Sequence, residues 1–195
     1  MNQFIVNTKY AVENLISIMQ KERMLLEEKL SARKIVKDAE KNLFEQMKEN
    51  DFFSPEGIID LYGLNSAAER IEKETEELRN FLLTIDDSLR IIAGALLQIA
   101  KQGISFTHKS LGNCPTGRVI GRETLKNIIW QSRNQAMHFE EGRYRSSVVN
   151  CFKNLEIDYG TRFELADKSL AYEIIKLLEW DSYDNYESDM KLLLP

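Results

Sequence analysis

Trp130 to Gly142 reads Trp-Gln-Ser-Arg-Asn-Gln-Ala-Met-His-Phe-Glu-Glu-Gly, which brings Arg133, Asn134 and His138, one of only 2 histidines, into one short stretch. A guanidinium keeps its charge at any physiological pH and can stabilise phosphate. An imidazole exchanges a proton near neutrality. Together they suffice to cut RNA without a metal, because the attacking 2′-hydroxyl is already part of the substrate.

The element that must position these groups is a helix from about Arg122 to Glu141, stopped by Gly142, a residue suited to the left-handed position after a helix end. At about 100° per residue, Leu125, Ile128, Ile129, Ser132, Ala136 and Phe139 form one stripe, the expected core face. Trp130, Asn134 and His138 lie at i, i+4 and i+8 on another face, with Met137 beside them and Arg133 on the flank. Trp130 and Met137 there imply a second contact surface, covered by another part of the chain or by a second subunit. Arg133 and His138 stand roughly 140° apart around an ideal helix and roughly 7.5 Å along it, so they flank a groove rather than touch. His138 falls in the last turn, where the carbonyl ends favour an imidazolium and so a proton donor. Asn134 sits one turn before it, able to bond the imidazole or a phosphate. Packed symmetrically through this face, two chains would bring two Arg and two His around one cleft.

The rest of the sequence also reads as helical. From about Gln3 to Met47, Val12, Ile16, Met19, Leu26, Leu30, Leu43 and Met47 recur at helical spacings, predicting one long amphipathic helix or two in line. Asn50 to Gly57 contains a Pro and a Gly and predicts a break, followed by a short turn of helix at Ile58–Tyr62 ending at Gly63. Ser66-Ala-Ala-Glu69 has capping-box spacing and predicts the start of a second main helix. Asp86 or Asp87 could cap a further one through Leu89, Ile92, Leu96 and Ile99, unless the two are continuous. Asn113 to Gly121 is a loop; helices are expected at Ser146–Asn154 and Ala166–Trp180, with a connector over Glu156–Phe163. The expectation is an all-α bundle of about five to six helices with a long N-terminal helix. Residues 1–180 would form a single domain and 181–195 an acidic tail, solvated or docked on a basic surface.

Composition sets limits. With 195 residues, 43% apolar and 29% charged, the chain can bury one substantial core. The N-terminus lacks a signal-peptide layout, and the longest apolar run, Ile91 to Ala100, contains Gln98 and is too short to span a bilayer. Cys114 and Cys151 share no ligand spacing and suggest reduced thiols; with two scattered His, no metal or cofactor is expected, and the cytoplasm is the default compartment. The net charge is −5, but Lys101 to Lys153 holds nine basic and three acidic residues, so that segment carries +6 and the remainder −11. A basic segment in an acidic protein suits a local phosphate-binding surface, or a face neutralised by acidic neighbours in the fold. Arg118, Arg122, Arg143 and Arg145 are its candidate RNA contacts, the last two just past the motif helix. His108 reads as a surface or satisfied histidine.

Arg133-Asn134-Gln-Ala-Met-His138 resembles the R-x(4–6)-H signature of the HEPN superfamily, in which a polar residue, often Asn, follows the Arg. The similarity covers about thirty residues closely, and within them the string from Gly121 through Trp130 to Gly142 resembles bacterial members of the defence or toxin type. It implies a helical bundle, dimeric, with a composite cleft at the motif helices and metal-independent endoribonuclease activity. His138 would then handle the 2′-hydroxyl or leaving-group proton, leaving a 2′,3′-cyclic phosphate. Arg133 would stabilise the phosphorane, and Asn134 would orient one of them or bind the phosphate. RNA, a second copy of the chain, and an antitoxin or defence-system subunit are the implied partners, with no membrane. Glu140 stands where one toxin branch carries Tyr, which removes control by modification of such a Tyr. The alternative from the same residues is a non-catalytic scaffold whose Trp130 face binds a nucleotide, RNA or a protein.

Overall fold

A computed structural model describes residues 2–49 and 55–195. Between Gln3 and Glu49 there is neither Pro nor Gly, and α1 runs over all 47 of those residues. α2 spans Pro55–His108, 54 residues, and opens on a proline, whose missing N–H is no loss in a first turn. Of the break expected at Asn50–Gly57, residues 50–54 lie outside the described residues, and Pro55 to Gly57 lie in the first turn of α2. The interruptions expected at Gly63 and Ser66 do not occur, and at Asp86 and Asp87 the helix is continuous, as one of the two alternatives had it. One glycine costs a helix about 1 kcal/mol. Ending the helix there would leave two more sets of four backbone groups to satisfy, which costs more.

Four shorter helices follow: α3 (Leu125–His138), α4 (Ser146–Tyr159), α5 (Ala171–Leu178) and α6 (Tyr183–Leu193). The fold is all-α, a helical bundle. Its only strands among the described residues, β1 (Val119–Ile120) and β2 (Glu123–Thr124), pair antiparallel as Val119↔Thr124 and Ile120↔Glu123. Gly121, at φ +58°, makes the tight turn between them and delivers the chain into α3. No helix among the described residues is long and apolar enough to cross a membrane.

The chain divides into two compact units: Met1–Lys21 with Ser88–Pro195, and Glu22–Asp87. In the second unit two helical segments run antiparallel, with the Lys29 ammonium 5.5 Å from the Phe81 ring and Leu43 sharing a groove with Ala68 and Ile71. Met24, Ile35 and Leu83 stay exposed there, while Leu82 and Ile85 are buried.

The first unit holds the main core. Ile5, Val12, Ile16 and Met19 line one side of α1, and Leu89, Ala93, Leu96, Leu97, Ala100 and Ile104 one side of α2. Phe152, Leu155, Ile174, Leu178, Trp180 and Tyr186 are buried from the later elements. α4 continues five residues beyond the expected Asn154 and takes in much of the expected connector. α5 is shorter than expected and ends with Glu179 in the left-handed region at φ +59°.

Of the two expectations for the last segment, solvated or docked, the structure shows the docked one, with Asp189 paired to Arg118. α6 buries Tyr186, Asp189, Met190 and Leu193, whose i, i+4, i+7 apolar stripe was concealed by the acidic residues between. Ser182 caps its start by accepting a hydrogen bond from the Asn185 amide.

Candidate functional site

α3 is fixed before it presents any chemistry. Leu125, Ile128, Ile129 and Ser132 are buried as the helical spacing predicts, but Gln131 and Gln135 are buried too, while Ala136 and Phe139 are only half-buried. Gln135 is fully enclosed because it replaces backbone partners. Its Nε2 donates to the Lys168 carbonyl at 2.8 Å, and its Oε1 accepts from the Leu170 amide at 2.8 Å. These bonds tie the middle of α3 to the segment that leads into α5. Gln135→Leu strands both backbone groups while keeping the volume, and is expected to lower unfolding free energy by about 2 kcal/mol in urea titration.

His138 is the last residue of α3. A 3-10 turn, Phe139–Glu141, follows it and closes on Gly142, left-handed at φ +62°, as the sequence predicts. The chain then returns past Arg143, Tyr144 and Arg145 to α4, and between α3 and this return lies a cavity of about 330 Å³. Arg133, Asn134 and His138 line it from α3, Arg143, Tyr144 and Arg145 from the return, with Glu141 and Val148 completing it. Three guanidiniums and an imidazole thus share one concavity large enough for a phosphate and part of a nucleotide.

The side chains on α3 are held by neighbours. Arg133 Nε donates to Oε1 of Gln98 on α2, and Arg133 Nη1 donates to Asn134 Oδ1 at 3.3 Å. His138 Nδ1 lies 2.6 Å from Glu141 Oε1, with the two side chains 50% and 58% exposed. Tyr144 Oη accepts from Gln135 Nε2 at 3.3 Å, so the rim of the cavity rests on the same glutamine that anchors α3. Gln98 was missed as a site residue, although its position inside the apolar run Ile91–Ala100 was the visible signal.

Two of the four candidate RNA-binding arginines are not brought to this cavity. Arg118 donates from Nε and Nη2 to Asp189 at 2.7 and 3.0 Å, and from Nη2 to the Leu178 carbonyl at 2.9 Å. The Asp189 carboxylate, chiefly through its hydrogen bond, raises the Arg118 pKa above its ordinary value. Arg122 is paired with Asp158, which also accepts from the Arg122 amide at 2.7 Å. Both acids lie far along the sequence, so the basic segment is partly neutralised in the fold. Lys126 is likewise turned inward, to the carbonyls of Leu111 and Cys114.

The remaining candidates are placed as follows. Trp130 is half-buried, with the Lys101 ammonium 4.6 Å from its ring centroid, a cation–π contact. Met137 is exposed. His108 is held by Nε2 to the Leu193 carbonyl at 2.7 Å, a satisfied histidine. Cys114 and Cys151 are free, buried thiols with pKa values pushed up by desolvation, which keeps them protonated and unreactive. Among the described residues, no three His, Cys, Asp or Glu side chains converge as metal ligands. No family model, no curated protein and no solved structure matches this chain.

Proposed function

We propose that this chain is a metal-independent endoribonuclease of the HEPN type, acting as a homodimer in bacterial defence or as a toxin. The observation that carries this reading is the sharing of one cavity by Arg133, Asn134, His138, Arg143 and Arg145. In the proposed reaction the 2′-oxygen of RNA attacks the adjacent phosphorus, and the bond to the 5′-oxygen breaks. One fragment is left with a 2′,3′-cyclic phosphate and the other with a 5′-hydroxyl. His138 takes the 2′-hydroxyl proton or gives the leaving oxygen its proton. Arg133 neutralises the charge that builds on the phosphorane oxygens, aimed there by Gln98 and Asn134. Arg143 and Arg145 hold flanking phosphates; Arg118 and Arg122, committed to Asp189 and Asp158, have no part in this reading.

A second copy would complete the site by supplying the partner role to whichever proton transfer His138 does not perform. The Trp130–Met137 face supports this, since Met137 lies exposed on the same helix as the cavity residues. RNA is the proposed substrate, and an antitoxin or defence-system subunit the proposed control. The test is cleavage of a labelled RNA in EDTA by the wild-type chain, read together with the 2′,3′-cyclic phosphate terminus. Growth arrest on expression, relieved by His138→Ala, would agree; no cleavage of any RNA would reject it.

One observation favours a second reading, a non-catalytic binding scaffold. Arg133 and His138 each already hold a protein acceptor, Gln98 and Glu141. That reading expects RNA or nucleotide binding without cleavage, lost on Arg133 or Trp130 substitution.

A further inference from the structure

We infer that Glu141 is a positioning residue that fixes the His138 tautomer and leaves Nε2 as the working nitrogen; its catalytic consequence rests on the nuclease reading above. A carboxylate only accepts hydrogen bonds, so the 2.6 Å contact with Glu141 Oε1 requires the neutral ring to carry its proton on Nδ1. Nε2 then keeps its lone pair, and among the described residues no other side chain or backbone group bonds it. A histidine free in water prefers the opposite arrangement, with the proton on Nε2. Glu141 therefore changes which nitrogen can take a proton, as well as where the ring points.

The placement of Glu141 depends on the turn that ends α3. Phe139–Glu141 forms a 3-10 turn, closed by the Gly142 amide on the Phe139 carbonyl at 3.3 Å, with Gly142 left-handed. This tighter winding brings residue 141 back beneath residue 138. Glu140, its neighbour, does not line the cavity. Arg133, Arg143 and Arg145 are the charged groups that share the cavity with this pair, and all three are cationic. In the proposed reaction, Nε2 takes the 2′-hydroxyl proton, and Glu141 then faces the resulting imidazolium with an opposite charge.

The chain contains its own control. His108 is bonded through Nε2 to the Leu193 carbonyl at 2.7 Å, and a carbonyl also only accepts. His108 must therefore carry its proton on Nε2, the opposite tautomer to His138. With only 2 histidines, both rings are resolvable by long-range nitrogen–proton correlation in histidine-labelled protein. Spectra are taken at about pH 8.5, above the ordinary imidazole range. The wild-type chain should show one ring of each tautomer. In Glu141→Ala the His138 pattern should move to the Nε2–H form while His108 stays unchanged, which also reports that the fold is intact. An Nε2–H tautomer at His138 in the wild-type chain, or no change in Glu141→Ala, overturns the inference. Cleavage kinetics form a separate arm: Glu141→Ala should lower kcat on the order of tenfold with little change in KM, and Glu141→Asp should recover part of it. An unchanged kcat overturns the positioning role. A wild-type chain that shows the tautomer pair but cuts no RNA rejects the nuclease reading, and leaves the tautomer assignment standing.

Discussion

His138→Ala is expected to lower the RNA-cleavage rate by about a hundredfold to ten-thousandfold, the range for removing a general acid or base. The fold should tolerate this change. His138 ends α3, its side chain is 50% exposed, and among the described residues its one hydrogen-bond partner is Glu141 in the following turn. Unfolding free energy should therefore change by less than about 1 kcal/mol, so lost activity cannot be assigned to unfolding. Arg133→Ala should lower the rate by about a hundredfold or more, by removing the charge opposite the phosphorane. Arg133→Lys is the more discriminating variant. Lysine keeps the charge but loses the fork that bonds Gln98 and Asn134 while facing the cavity. If aim matters as well as charge, Arg133→Lys should fall nearer to Arg133→Ala than to wild type. Single-turnover cleavage of a labelled single-stranded RNA in EDTA measures all three. Full activity in His138→Ala would end the nuclease proposal.

How much of this could be read before any coordinates depends on whether the cause is local. The helical class, the core stripe of α3 through Leu125, Ile128, Ile129 and Ser132, and the stop at Gly142 follow from periodicity and one left-handed glycine. So does the gathering of Arg133, Asn134 and His138 at one concavity, because residues five apart, roughly 140° around the helix, flank a shared groove. The failures are long-range. Arg118 and Arg122 look like free cations until α6 and α4 supply Asp189 and Asp158. Gln135 looks like a surface residue until the chain before α5 offers it two backbone groups. α6 looks like a tail because four acids from Asp181 to Asp189 mask three apolar positions on one stripe. α2 was expected in pieces because turn and cap signals are weak beside the cost of ending a helix.

The same long-range contact makes Asp189 the position where a single substitution should cost the most stability. Its side chain is 7% exposed, and it accepts from Arg118 Nε at 2.7 Å and from the indole Nε1 of Trp180 at 2.9 Å. Trp180 is fully buried, its ring 4.8 Å from that of Tyr186, so its N–H has no access to water once Asp189 is removed. Asp189→Ala therefore strands a buried donor and leaves the Arg118 cation unpaired. A fully buried ion pair broken this way costs about 3–5 kcal/mol; Arg118 is 38% exposed and recovers part of its hydration, so about 2–4 kcal/mol is expected. Asp189→Asn keeps one acceptor oxygen and should cost roughly half as much. Urea unfolding followed by tryptophan fluorescence measures both, with an unchanged m-value marking a loss of native stability. The consequence for the site is a matter of position along α3. α6 supports the beginning of that helix: Leu193 packs where a side chain on Gly117 would sit, and Gly117 in turn lies against Leu125. Arg133 and His138 lie at the far end, held by Gln98, Gln135 and Glu141. Well below its lowered melting temperature, Asp189→Ala should therefore cleave RNA within about threefold of wild type. A large loss of cleavage in a still-folded Asp189→Ala chain would mean that α3 transmits strain along its whole length, and that the cavity is not supported independently of α6.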